Sequence, residues 1–170
     1  MQVVETGRLC LRHFHADDAT FIIRLLNEPS FIEYIGDKNV RTAKEANQYL
    51  LDGPLDSYER FGYGLNVVEL KETGEPVGMC GLVRRDTLED PDIGYAFLEQ
   101  YWSNGYARES AEAVLKHARE TLGVNRIVAI VTAENHSSIK LLEKVGLTFE
   151  RMIRMSEDAA ELKFFVSDMR

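Results

Sequence analysis

At 170 residues the chain has the length of one ordinary domain, and 45% hydrophobic against 28% charged residues is the balance of a globular protein that buries a core. A formal net charge of −8 argues against a nucleic-acid groove, which needs clustered Lys and Arg, and mildly favours a cationic partner such as an amine or a basic peptide. Cys10 and Cys80 form neither a disulfide framework nor a metal spacing, and the chain shows no basic-then-apolar leader and no apolar run of membrane-spanning length, so a cytoplasmic protein without metal or membrane partner is expected.

Polar and apolar residues alternate over 8–14, which predicts a strand with one buried face. Ala19, Phe21, Ile22, Leu25 and Leu26 fall at helical spacing within 17–27, and Pro29 is expected to stop that helix. A second helix over 42–51 opens with Thr42 and Glu45, a capping-box spacing, and is expected to end at Gly53-Pro54. Strands follow at 63–70, 76–84 and 92–98, with a turn at 72–75 between the first two. The pattern then alternates: helix 104–121, strand 126–132, helix 135–145, and terminal strands 147–155 and 161–166. No repeat, low-complexity stretch or linker divides residues 1–170, so one domain is expected. An antiparallel meander leading into a β-α-β-α-β run predicts an α/β (α+β) fold: a mixed, mostly antiparallel sheet of about seven strands flanked by helices.

The segment 98–109 joins a strand to the long helix. Gly105 permits a tight or left-handed bend, and Ala107 leaves room for close approach. The first amides of a helix lack internal partners and sit at the positive end of its dipole, so a diphosphate fits across Asn104 to Arg108, with the Arg108 side chain adding charge. The plainer reading is a turn with Ser103 or Asn104 as N-cap. Downstream, Asn135 is placed to cap the next helix, Gly146 to end it, and Leu141, Leu142 and Val145 to form its buried stripe.

Trp102-Ser103-Asn104-Gly105-Tyr106-Ala107 resembles the acetyl-CoA pyrophosphate loop of the GNAT superfamily. With Ile93-Gly94-Tyr95 before it and Trp102 at its first position, it is similar to the ribosomal-protein N-acetyltransferase (RimJ/RimL-like) branch. The opening Arg8-Leu9-x-Leu11-Arg12 strand and the Asn135-x-x-Ser138 stretch with its following Leu-Glu-Lys-x-Gly helix also fit that branch. Ser103 stands where the branch usually has glycine. The resemblance implies a GNAT-like fold and an acetyl-CoA-dependent N-acetyltransferase that works by direct transfer in a ternary complex. It implies that Ser103, Asn104, Gly105, Tyr106, Ala107 and Arg108 cradle the diphosphate. It also implies that Phe97 and Leu98 at the strand end pair their backbone with the pantetheine amides, that Asn135 hydrogen-bonds the pantetheine arm, and that Ser138 approaches the thioester sulfur.

The tyrosine that many relatives carry on the second-motif helix as general acid is absent here, which leaves Ser138 or a water to protonate the departing thiolate. A backbone N–H on the 93–98 strand would be the family's oxyanion donor, with Tyr95 the choice by position. Asp92, where the branch often has Glu, is the candidate base, ahead of Glu89, Asp90 and Glu99. His13, His15, His117 and His136 form no triad spacing and read as structural or surface residues. Phe31, Tyr34 and residues 58–63 supply aromatics that serve as core or acceptor pocket. The acceptor is a primary amine, on a protein N-terminus or on a small molecule such as an amino sugar, polyamine or antibiotic. A catalytically silent acyl-CoA-binding module is the alternative, and the oligomeric state, monomer or homodimer, is left open.

Overall fold

The computed structural model describes residues 1–168. Among these, eight strands form one sheet: β1 (Gln2–Glu5), β2 (Leu9–His13), β3 (Leu65–Leu70), β4 (Pro76–Val83), β5 (Asp92–Phe97), β6 (Arg126–Val131), β7 (Thr148–Ile153) and β8 (Leu162–Asp168). Their spatial order is β1-β2-β3-β4-β5-β6-β8-β7. Every neighbouring pair is antiparallel except β5 and β6, which are parallel. The strand beyond the expected seven is β1. Val3-Val4 is too short an apolar run to read as a strand alone, and pairing with β2, Glu5 opposite Cys10, makes it one.

The helices are α1 (Ala19–Leu26), α2 (Pro29–Tyr34), α3 (Ala43–Leu50), α4 (Asp56–Phe61), α5 (Tyr106–His117) and α6 (His136–Lys144). Thr42 and Glu45 form the capping box of α3, each side chain accepting the other's backbone N–H at 3.1 Å. Helix α1 ends at Leu26, ahead of Pro29 as expected, whereas the stop expected at Gly53-Pro54 is not one. Pro29 sits in the first turn of α2, where its missing N–H has no bond to lose. Gly53-Pro54 lies inside a wider, π-type turn, Leu51–Leu55, that carries α3 on into α4. The widened turn dispenses with the bond a proline cannot donate, so the helix continues to Gly62 at φ +80°.

The sheet carries apolar helices on both faces. Phe21, Ile22, Leu25 and Leu26 of α1 are buried with Val67 and Met79, each large side chain contributing about 1.5–3 kcal/mol of transfer free energy. On the opposite face Ala111, Val114 and Leu115 of α5 and Leu142 of α6 pack over Leu11, Cys80, Ile93 and Phe97. Among the described residues no helix is long and apolar enough to cross a membrane.

Candidate active site

Strands β5 and β6 meet at Asp92 opposite Val128, where Val128 N–H donates to the Pro91 carbonyl at 3.0 Å, and no further pairing is made along them among the described residues. In an antiparallel ladder only alternate residues exchange bonds with a given neighbour. Leu98 N–H donates to the Val77 carbonyl at 3.0 Å, which directs the amides of Leu98, Ala96 and Gly94 toward β4. Those of Tyr95 and Phe97 therefore face the gap toward β6. A cleft of about 870 Å³ opens here, lined by Tyr95 and Gly94 from β5, Val131 and Thr132 at the end of β6, and Asn135 and Ser138 from α6. The Phe97 carbonyl already accepts the Trp102 indole N–H at 2.9 Å, so its free donor is the amide. Leu98 turns its amide to β4, which leaves Phe97 as the residue at this strand end that can pair with a ligand.

The bend that follows is exposed from Trp102 to Gly105. Its N-cap is Gly105 at φ +82°, not Ser103 or Asn104. Asn104 instead turns its side-chain amide inward to the Tyr101 and Trp102 carbonyls at 2.9 and 3.2 Å, which braces the loop. The first helical bond is Glu109 N–H to the Gly105 carbonyl at 3.0 Å, so the amides of Tyr106, Ala107 and Arg108 have no acceptor within the helix. Arg108 turns its guanidinium to Glu112 at 2.8 Å, along the helix. A second cation, Arg8, stands beside the bend. It is tied to Glu109 at 2.8 Å, lies over the Tyr106 ring at 4.6 Å, and has Nη2 3.4 Å from where a Cβ on residue 105 would stand. Nothing in the local sequence links Arg8 to residue 105; β2 brings them together. Gly105→Val would force a β-branched residue into left-handed backbone, at a cost of about 1–3 kcal/mol. We expect acetyl-CoA affinity, measured by calorimetry, to fall about tenfold or more while the folded-state circular dichroism persists.

At the other side of the cleft Asn135 Oδ1 accepts Ser138 N–H at 3.3 Å and caps α6. That role uses the oxygen and leaves the amide NH₂ as the group for a ligand carbonyl. Ser138 Oγ lies 2.5 Å from the Tyr95 hydroxyl, a contact between α6 and β5 that spacing along the chain does not announce. Burial pushes the Tyr95 phenol up to about 12, so it keeps its proton throughout the working range. The Thr132 hydroxyl, also at the cleft, is buried without a hydrogen-bond partner among the described residues. An orphaned donor next to unpaired strand amides fits an amide-bearing arm lying between β5 and β6.

Asp92 lines the cleft, 2% exposed, and pairs with Arg85 Nε at 3.0 Å. Burial raises its carboxyl above the ordinary range, and the Arg85 charge moderates the rise. Glu89, Asp90 and Glu99 lie outside the cleft lining; Asp90 binds Arg126 at 3.0 Å, and Glu99 accepts Ser30 N–H at 3.2 Å. None of the four histidines lines the cleft, and His13 stacks on Tyr58 with ring centroids 3.7 Å apart. Phe31, Tyr34 and Phe61 reach the acceptor end, whereas Tyr58 is half-buried, and its hydroxyl accepts Phe14 N–H at 3.0 Å and donates to the Leu65 carbonyl. Tyr49 and Lys38 also line this end and carry no sequence signal.

Anion-ready amides at one end and a hydroxyl pair at the other suit a long thioester with a phosphorylated tail, which makes the class an acyl-CoA-dependent transferase. The chain matches the model of the acetyltransferase (GNAT) domain over residues 8–148 and belongs to that family. It is similar to the uncharacterized protein YkkB of Bacillus subtilis (strain 168), 32% identical over 88% of this chain and 87% of that one. It is 30% identical to the uncharacterized N-acetyltransferase p20 of Bacillus licheniformis, over 94% and 89% of the two chains. Its fold is that of RimL, a ribosomal-protein alpha-N-acetyltransferase solved with coenzyme A, at TM-score 0.84 and 16% identity over 99% and 98% of the chains. The protein is thus an acetyltransferase that carries an acetyl group from acetyl-CoA to an amine.

Proposed function

We propose that residues 1–170 act as one cytoplasmic N-acetyltransferase domain that transfers acetyl directly to a primary amine within a ternary complex. Two unpaired cysteines, one buried, support a reducing compartment. The observation that carries the catalytic reading is the Tyr95–Ser138 hydroxyl pair, set where the open edge of β5 meets Asn135. Acetyl-CoA supplies the activated acyl group. The chain would hold its diphosphate on the amides of Tyr106, Ala107 and Arg108, within the bend 103–105 and beside Arg8, and its arm on Phe97 N–H and Asn135. Tyr95 N–H, facing the gap, is the oxyanion donor. Ser138 gives a proton to the leaving sulfur, with Tyr95 orienting its hydroxyl. Asp92 accepts the amine's proton; its raised pKa makes it a stronger base and moves the acid limb of the rate profile above the usual carboxylate range of about 3.9. The likeness to RimL supports a protein N-terminus as acceptor.

Acetyl-CoA at 100 Kd is expected to stabilise the protein by about 2.7 kcal/mol, seen as a rise in Tm. Thiol release over a panel of amines then separates an enzyme from a silent acyl-CoA-binding module. Stabilisation without thiol release from any amine would leave the silent module as the reading.

A further inference from the structure

At its acceptor end the cleft is walled in part by the π-type turn Leu51–Leu55, whose Gly53 and Pro54 both line it. Such a turn pushes a stretch of helical backbone out of line, and proteins use it most often beside a functional site. Pro54 is buried and holds the turn against the protein, while Gly53 is exposed to the cleft side.

Gly94 and Gly53 line the same cleft and differ in what surrounds them. A Cβ on Gly94 would meet Leu65 Cδ2 at 3.4 Å and Val83 Cγ2 at 3.5 Å, so β5 is already packed there. A Cβ on Gly53 would meet no atom within 4 Å. Its φ lies outside the left-handed region, so the backbone does not demand glycine, and helix propensity disfavours it. What the absent side chain leaves is room.

The walls near that room are apolar. Ile35, directly after α2, lines the cleft with 49% of its surface exposed, and Tyr34, Tyr49 and Phe61 line it from α2, α3 and α4. Aromatic and aliphatic walls with few polar groups are what hold the apolar part of a small ligand. The charged side chains of this wall have partners of their own. Asp52 is held by the Gln48 amide at 2.9 Å, Asp56 and Arg60 pair at 3.2 Å, and Arg85 is bound to Asp92 at 3.0 Å.

We propose that the amine acceptor carries a bulky apolar group, aliphatic or aromatic, a few bonds from its nitrogen, and that the space beside Gly53, walled by Ile35 and Tyr49, takes that group while the nitrogen lies toward Asp92. Gly53 is then a specificity-determining position. This rests on the acetyltransferase reading and narrows its substrate class to amines with an apolar substituent.

The test compares matched acceptors: 2-phenylethylamine with ethylamine, and phenylalaninamide with glycinamide, the second pair standing for a protein N-terminus. Thiol release should favour the bulky member by about tenfold or more in kcat/KM, the worth of one buried apolar side chain. Discrimination in the first pair alone assigns the group to a free amine, and in the second alone to an N-terminal residue. Gly53→Leu should shrink the ratio about tenfold through KM for the bulky member, because the space is then filled, with acetyl-CoA affinity by calorimetry unchanged. Ile35→Ser should shrink the same ratio severalfold by removing apolar wall without adding bulk. Calorimetry of each pair on the coenzyme-A-saturated protein gives the comparison without turnover.

Equal use of both members of each pair, preference for the small members, or a ratio untouched by Gly53→Leu in a protein of unchanged circular dichroism would overturn the apolar pocket and leave the acetyltransferase standing. Should Gly53→Leu lose its fold, Ile35→Ser decides alone, and a ratio it leaves unchanged overturns the pocket too. So would bulky probes that are neither acetylated nor bound by a protein that acetyl-CoA still stabilises. No stabilisation by acetyl-CoA, together with no thiol release from any probe, would instead remove the acetyltransferase reading.

Discussion

Ser138→Ala is expected to lower kcat about 100-fold with little change in the KM for acetyl-CoA, the typical worth of one positioned proton donor, or about 2.7 kcal/mol of barrier. Ser138 holds its place by its backbone, through the cap from Asn135, so alanine leaves α6 intact and deletes only the hydroxyl. Tyr95→Phe should cost about tenfold, because Ser138 keeps its own proton but loses the partner that fixes its rotor. The double variant discriminates the mechanism. If Tyr95 acts through Ser138, removing both should cost no more than Ser138→Ala alone; independent roles would multiply to about 1,000-fold. The tyrosine's backbone amide is unchanged in Tyr95→Phe, so the oxyanion donor is preserved and the comparison isolates the phenol. Single-turnover rates with saturating acetyl-CoA measure the effect free of product release.

How far the sequence foretold this site depended on whether its parts were neighbours along the chain. The bend at Gly105, the capping box at Thr42 and the cap at Asn135 are local devices, readable because each needs particular residue types a few positions apart. Ser103 illustrates the limit. It departs from the glycine expected there, and the structure places it at φ +66°, the backbone region that favours glycine, so the chain keeps the conformation without the usual residue. Tyr95 is chosen from the sequence for its amide, while its hydroxyl meets Ser138 only once β5 and α6 are folded together. Arg8 reaches the bend from the position just before β2, and no periodicity records that approach. Pro54 misleads for a related reason: a proline marks a missing bond, and only the geometry shows whether the helix breaks or widens.

Asp18→Ala should destabilise the fold by about 3–5 kcal/mol, the cost of removing one member of a buried ion pair, and lower Tm by about 6–20 °C. Arg12 on β2 binds both carboxylate oxygens of Asp18 at 2.9 Å, reaches Glu69 on β3 with Nε at 2.9 Å, and donates to the His13 carbonyl at 3.0 Å. Asp18 also accepts His15 N–H at 2.9 Å just before α1 begins, so one carboxylate fastens that helix to two strands. Its loss leaves a largely buried guanidinium with half its partners. Asp17, one residue away and almost fully exposed, serves as the control, and Asp17→Ala should move stability by less than about 0.5 kcal/mol. Acid gives an independent check. Burial alone would raise the Asp18 carboxyl, but the hydrogen bonds from Arg12 and from the His15 amide hold it below its ordinary value. A depressed folded pKa contributes stability that is full above the unfolded value of about 3.9 and is lost as pH falls through the folded one. The gap between wild type and Asp18→Ala in urea melts should therefore be widest near neutrality and narrow below about pH 4. A gap that stayed constant through that range would mean that Asp18 stabilises α1 as a neutral cap rather than as a charge.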